Sequence, residues 1–329
     1  MPDLTRIARI SVAGLCLLST SACLPGLLTP RTPGLGGPVT VGPDRTDPER
    51  RPTGGGGGEE EEVERLNLNP VTFDTVTGVV DVDVPSMLET DTSISLGATV
   101  YSDRPGAPGD LSVSYDADTG LFTITGLGQT GTAEIDAPPM SGNPAGYGFF
   151  VSTPRIAPDG SEVVYVAVQE DPPPGGTFGV PYEFVSGFAG FLTPEEGMPT
   201  TGTATFTGGG EVRVLIQGGS VGGNGGTGDA TLTADFGTGN MDLALRNLED
   251  FGGNPSPDMD VRGITVDGRT FSGGTISGDT IDLLTGTVDL TVSGGFYGFD
   301  NDTQRPAEAA GQFLANGGNG YVKGQFIVK

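Results

Sequence analysis

From Val71 onward the chain alternates apolar and polar residues with a period of two. In "GVVDVDVPS", Val80, Val82 and Val84 share one face while Asp81 and Asp83 take the other, the pattern of a strand with one dry and one wet side. "SISLGATVYS" does likewise with Ile94, Leu96, Ala98 and Val100. "LSVSYDADTGLFTIT" reads as a hairpin whose turn chemistry comes from Asp118-Thr119-Gly120. "APDGSEVVYVAVQE" enters a further strand through Pro158-Asp159-Gly160, and "YEFVSGFAGFL" closes the segment with aromatics at even spacing. After "TPEEGMPTTG" a more regular series follows: "TGTATF", "EVRVLIQ", "DATLTADF", "MDLALRNL", "DVRGITV", "RTFSGGTIS", "GTVDLTVSGGF", "AAGQFLA" and "GYVKGQFIV". In "TVDLTVS" the apolar face is Val288, Leu290 and Val292, and the polar face is Thr287, Asp289, Thr291 and Ser293. Eight or nine strands in about 130 residues suit a closed antiparallel barrel, because closure removes exposed edges. The expected fold is therefore all-β, with a β-rich domain over 70–197 and an eight-stranded antiparallel β-barrel over 198–329.

Composition supports this reading and adds a detail. The 58 glycines and 26 prolines in 329 residues argue against helices and for short elements joined by turns. Near the C-terminus glycines alternate with aromatics, in "GGFYG" and again in "AAGQFLA". In a small barrel a glycine leaves room for a ring from across the interior, so Phe296, Tyr297 and Phe313 read as core filling rather than as a ligand-stacking platform. A membrane-spanning barrel is disfavoured because the strands read as short, aromatic girdles are absent from the pattern, and the N-terminus supplies another anchor.

That anchor is read from "MPDLTRIARISVAGLCLLSTSAC". Arg6 and Arg9 precede an apolar stretch from Ile10 to Leu18 that is too short to span a bilayer, so residues 1–22 are expected to be a signal peptide. "TSAC" resembles a bacterial lipobox, which makes Cys23 the expected lipid attachment site. The other reading is an ordinary cleaved signal with an incidental cysteine. Leu24 after the cysteine, by its similarity to lipoprotein sorting signals, implies the outer membrane. Residues 23–69, with "PGLLTPRTPGLGGP", "DRTDPERRPTGGGGG" and "EEEEVER", lack apolar periodicity and are expected to be a disordered tether. As a flexible coil it would reach roughly 35 to 40 Å. Its acidic run reads as a solvated spacer or as a patch for a partner.

Charge and residue inventory narrow the chemistry. The chain carries 16 Lys and Arg against 42 Asp and Glu, a net −26, and loss of residues 1–22 leaves 14 against 41, or −27. Such an excess repels nucleic acid and anionic membrane surfaces and favours solubility. With no His, and only Cys23 beyond the signal, hydrolase triads, imidazole–thiolate metal sites and an internal disulfide are excluded. No spacing marks catalytic carboxylates, so no catalytic residue, metal site or cofactor is expected. "GGNGGTGDA" and "DNDTQ" brush against calcium-loop patterns, but both fit glycine-rich or acidic loops better.

The ordered series "MPTTGTATFTGG", "GDATLTADFGTGNMDLAL", "FSGGTISG", "GGFYG", "AEAAGQFLA" and "GYVKGQFIVK" resembles the barrel lobe of the transferrin-binding protein B-like surface lipoproteins, a group that includes the factor H binding lipoproteins. The resemblance covers about residues 198–329, and residues 70–197 sit where that family has its handle domain. It implies a single-lobe, lipid-anchored outer-membrane protein facing the cell exterior. It further implies a non-catalytic module for a protein ligand, possible iron or nutrient acquisition, and a TonB-dependent receptor as a second partner. The alternative is a structural envelope lipoprotein with no dedicated ligand. The sequence names no ligand-binding residues and no oligomeric state.

Overall fold

A computed structural model describes residues 66–68, 71–94, 97–105, 110–171, 181–216, 222–250 and 253–329. The signal, Cys23 and the acidic run lie outside the described residues.

Nine strands precede the barrel: β1 (Val79–Val82), β2 (Ser86–Ile94), β3 (Gly97–Pro105), β4 (Leu111–Asp116), β5 (Leu121–Gly126), β6 (Gln129–Ala133), β7 (Tyr147–Ser152), β8 (Val164–Glu170) and β9 (Pro181–Ala189). They form two antiparallel sheets, ordered β1-β4-β5-β6 and β3-β2-β9-β8-β7. The inner faces meet in one core, with Val82, Leu111, Val113, Phe122 and Ile124 from the first sheet against Phe149, Val151, Val166, Val168 and Val185 from the second. This is a β-sandwich. The β4–β5 hairpin turns where its Asp-Thr-Gly predicts. Gly120 takes φ +73°, and the Asp116 carboxylate accepts from Asp118 N at 3.0 Å and from Thr119 Oγ1 at 2.8 Å. "SISLGATVYS" departs from its reading as one strand. It spans a hairpin in which Ile94 pairs with Gly97 and Ser93 with Ala98. The apolar–polar alternation continues through the chain reversal, so periodicity alone does not register the turn.

The barrel comprises β10 (Thr203–Ile216), β11 (Gly222–Asp235), β12 (Asn240–Asp250), β13 (Met259–Asp267), β14 (Thr270–Ser272), β15 (Thr275–Ser277), β16 (Asp289–Tyr297), β17 (Glu308–Gly317) and β18 (Gly320–Val328). The ring runs β12-β11-β10-β18-β17-β16-β14-β13 and closes through β13–β12, while β15 continues the β14 run along β13. "TGTATF" and "EVRVLIQ" are one 14-residue strand, because the intervening Gly208 to Gly210 stay paired to both β11 and β18. "GGNGGTGDA" likewise is no loop but part of β11. At Gly228 a Cβ would collide with the backbone of Arg246 and Asn247, so the glycines there serve close strand approach.

The interior is solid. Phe206, Phe271, Phe296, Phe313 and Phe326 fill it together with Leu232, Leu243 and Leu245. The glycine–aromatic reading holds here: a Cβ on Gly311 would stand 2.8 Å from Phe271 and 2.9 Å from Phe326, and Gly324 lies under the Phe313 ring. Ile281 and Leu284, from the segment between β15 and β16, stopper one end. At the other end the Arg305 guanidinium sits 5.2 Å over the Phe206 ring.

Strand length does not exclude a membrane barrel as expected, since β10 and β11 reach 14 residues. Polarity does. Thr203, Thr205, Thr207, Thr233 and Asp242 face outward and exposed while their apolar neighbours point in, the inverse of a lipid-facing wall. Among the described residues no helix is long and apolar enough to cross a membrane.

Candidate interaction surface

The outer wall of the barrel has two parts. Across β16, β17 and β18 it is covered by the β3-β2-β9-β8-β7 sheet. Residues 308–315 of β17 are consequently buried on both faces, and so are residues 185–190 at the end of β9. Alternate residues divide the work. Ala309, Phe313 and Ala315 point into the barrel, whereas Glu308, Ala310, Gln312 and Leu314 point at the sandwich.

This joint holds several polar groups that the sequence reading missed. Gln312 Oε1 accepts from Ser186 Oγ at 3.0 Å, and Gln312 Nε2 donates to Ser186 O at 2.8 Å, all in full burial. Glu308 accepts from Ser161 Oγ and, at 3.0 Å, from Glu162 N. Burial pushes its carboxyl above the usual carboxylate range, and these hydrogen bonds and nearby Lys329 offset only part of that. Tyr297 is not barrel filling as expected. It points outward beside Phe188, Ile156 and Ile327, and its hydroxyl donates to Phe188 O at 2.8 Å. Phe296 and Phe313 do fill the core. A sequence signal was available in "AEAAGQFLA", where Glu308 and Gln312 stand four apart on one strand face amid small and apolar residues.

The remaining wall, β11 to β13 with Thr203, Thr205 and Thr207 of β10, is largely exposed and rich in Thr and Asp, while Gly209 in the middle of β10 lies against Ile156. At a bulge between Thr227 and Asp229, Asn247 adopts φ +53°. Asn247 Nδ2 donates to Asp229 Oδ2 at 2.7 Å, and its backbone N–H donates to Asp258 at 3.2 Å. Arg246 Nη1 donates to Leu245 O and Met259 O, both at 2.9 Å, and Nη2 donates to Asp260. Arg262 reaches the other Asp260 oxygen at 3.1 Å. Partial burial raises the Asp260 pKa, yet the two guanidiniums outweigh it and hold the carboxyl below its ordinary value. The pairing neutralises a strand pair whose faces would otherwise repel, and at the surface it adds little stability.

From residue 66 onward the chain has nine Lys and Arg against 33 Asp and Glu, a net −24. Most of the cations are engaged at home. Arg213, Arg246 and Arg262 pair with acids, Arg305 covers Phe206, and Lys323 lies 4.8 Å over Phe184. Lys329 donates to Gly160 O. Among the described residues no three His, Cys, Asp or Glu side chains gather as a metal site. "DNDTQ" builds a turn instead: Asp300 accepts from Asp302 N at 2.9 Å and from Thr303 Oγ1 at 2.7 Å. Those hydrogen bonds, Thr303 first, hold its carboxyl below the ordinary value.

A β-sandwich docked on one side of a water-facing, core-filled barrel defines a handle-and-barrel protein. No family model matches the chain, and no curated protein matches its sequence. Among solved structures it is similar to intact Ap-TbpB with its N and C lobes, at 17% identity and a TM-score of 0.39 over 74% of this chain. It spans 46% of that protein. It is also similar to HpuA from Kingella denitrificans, solved in complex with human haemoglobin, at 17% identity and a TM-score of 0.39 over 80% of this chain and 95% of HpuA. A third is a surface lipoprotein, at 14% identity and a TM-score of 0.34 over 74% of this chain and 98% of the other.

Proposed function

We propose that the protein is a non-catalytic binding module, displayed on the bacterial outer surface through a lipid on Cys23, whose ligand is a macromolecule with a basic face. The observation that carries this reading is the charge balance of the folded part, 33 acids against nine bases with most of the bases engaged internally. A partner meeting the open wall and its end loops finds carboxylates and threonine hydroxyls on a body already fixed by two packed cores. Such a surface steers a cationic partner, and the steering weakens as added salt shortens the screening length from about 10 Å at 0.1 M to about 3 Å at 1 M. Iron would be handled through a protein ligand and not held directly, since the chain has no His and offers no gathered carboxylate site among the described residues.

The test is affinity capture from intact cells and their surroundings with the purified protein, followed by titration at low and high salt. Transferrin and haemoglobin serve as the first probes. A stoichiometric protein partner whose affinity falls with salt supports the proposal. Tight, stoichiometric binding of iron itself would overturn it, and capture of nothing across several growth conditions would favour a structural envelope role. The anchor is tested separately by fatty-acid labelling with and without Cys23→Ser, where a mature chain beginning after Cys23 sinks that part.

A further inference from the structure

The loop between β16 and β17 grips a piece of main chain. Asn301 Oδ1 accepts from Leu68 N at 2.9 Å while Asn301 Nδ2 donates to Leu68 O at 2.8 Å. Gln304 repeats the arrangement two residues earlier, with Oε1 accepting from Leu66 N at 2.8 Å and Nε2 donating to Leu66 O at 2.9 Å. Each amide side chain thus satisfies both main-chain groups of one residue, and the residues gripped are i and i+2, as in the edge of a sheet. The loop is also held by hydrogen bonds of its own. Asp300 N donates to Arg305 O and Gln304 N to Asp300 O, at 2.9 and 2.8 Å, and the Asp300 carboxylate secures Asp302 and Thr303. Gln304 sits at φ +55°, and its second Nε2 hydrogen goes to Asn301 O at 2.6 Å. The Leu68 side chain lies beside Gly197, which Phe299 also approaches. Leu66 is 41% exposed, so its side chain contributes little to the hold.

We propose that loop 298–307 is a clasp for extended main chain, occupied here by Leu66–Leu68, and that it fixes where the N-terminal segment leaves the folded body. The exit lies at the barrel end that carries the β11–β12 and β13–β14 turns. The antiparallel register then places the β17–β18 turn and the 278–288 stopper at the opposite end, turned away from that exit. The inference concerns attachment and goes beyond the binding role proposed above. Because the clasp reads main chain, it takes an extended peptide largely regardless of side chain, and a polar pair at 301 and 304 is what it requires.

The test uses the full chain and two local readouts. Amide hydrogen exchange at Leu66 and Leu68 should be about tenfold faster in Asn301→Ala/Gln304→Ala than in the parent, with β17 amides unchanged. Leu66→Ala should leave the exchange at Leu68 as it was. Trypsin reports on the same hold at the Arg65–Leu66 bond, which should be cut slowly in the parent and readily in the double variant. If the double variant also loosens β17, Asn301→Leu decides: it keeps the side chain's size, loses the acceptor for Leu68 N and the donor to Leu68 O, and should speed exchange at Leu68 with β17 as in the parent. Equal exchange and equal cleavage in parent and variants would overturn the proposal.

Discussion

The two halves of the barrel wall are built from the same alternating strands yet have opposite outer faces. Along β10 to β12 exposed outward residues such as Thr203, Thr205, Thr233 and Asp242 stand in water, where a polar side chain needs no partner from the protein. Along β16 to β18 the outward residues lie under the sandwich, where Tyr297, Glu308 and Gln312 are each hydrogen-bonded to the handle or its loops. Alternation therefore tells which residues face the barrel interior in both halves, but it cannot tell whether the other face meets water or protein. What distinguishes the halves is the cost of a polar group without a partner, small in solvent and large in a joint.

Substitutions on the inner and outer faces of each half sharpen this comparison. Inner-face truncations should be the most damaging and alike in both halves: Phe313→Ala about 3 to 5 kcal/mol and Leu232→Ala about 2 to 5 kcal/mol, read from urea unfolding. Outer-face truncations should separate the halves. Gln312→Ala leaves the buried Ser186 hydroxyl without its acceptor in the joint and should cost about 1 to 3 kcal/mol. Equal costs for Gln312→Ala and a solvent-facing threonine would break the comparison.

The pH dependence of stability is the next and smaller effect. Glu308, with an ordinary value near 4.5 and a raised folded value, keeps a proton in the folded state that the unfolded chain has already released. Stability should accordingly fall as pH rises through that window and level off above it, and Glu308→Gln should flatten the slope. Asp260 and Asp300 act in the opposite sense and in a lower window. Their folded values lie below 3.8, so they stabilise above that value and the contribution is lost on further acidification. A slope unchanged by Glu308→Gln would detach the carboxyl from the joint's energetics. Smallest of all, Thr233→Ala on the open wall should change stability by about 0.5 kcal/mol or less.

How much of this was legible in the sequence follows from the same physics. The all-β class, the barrel and the glycine–aromatic packing of Phe296 and Phe313 are local or period-two features, and they could be read. The hairpin inside "SISLGATVYS" could not, because a two-residue reversal can preserve alternation. The strands that run through Gly208 to Gly210 and through "GGNGGTGDA" were obscured because glycine signals a turn unless paired neighbours on both sides hold it extended. Val292 is fully buried, whereas Leu290 on the same face is only partly so, a difference set by position near the barrel rim that phase alone does not give. Alternation puts Phe296 and Tyr297 on opposite faces, but what covers Tyr297 comes from residues more than 100 positions away and is not a local signal. The Asn301 and Gln304 clasp was hidden for the same reason, its partners standing 233 and 238 residues distant.

The most direct test of the account is an amide hydrogen-exchange footprint of the protein with its captured partner. Slowed exchange confined to β10 to β13 and the adjoining end loops, with β16 to β18 unchanged, is the predicted result. Slowing confined to the handle's outer sheet, or faster exchange in residues 308–315 showing that the partner parts the handle from the barrel, would contradict it.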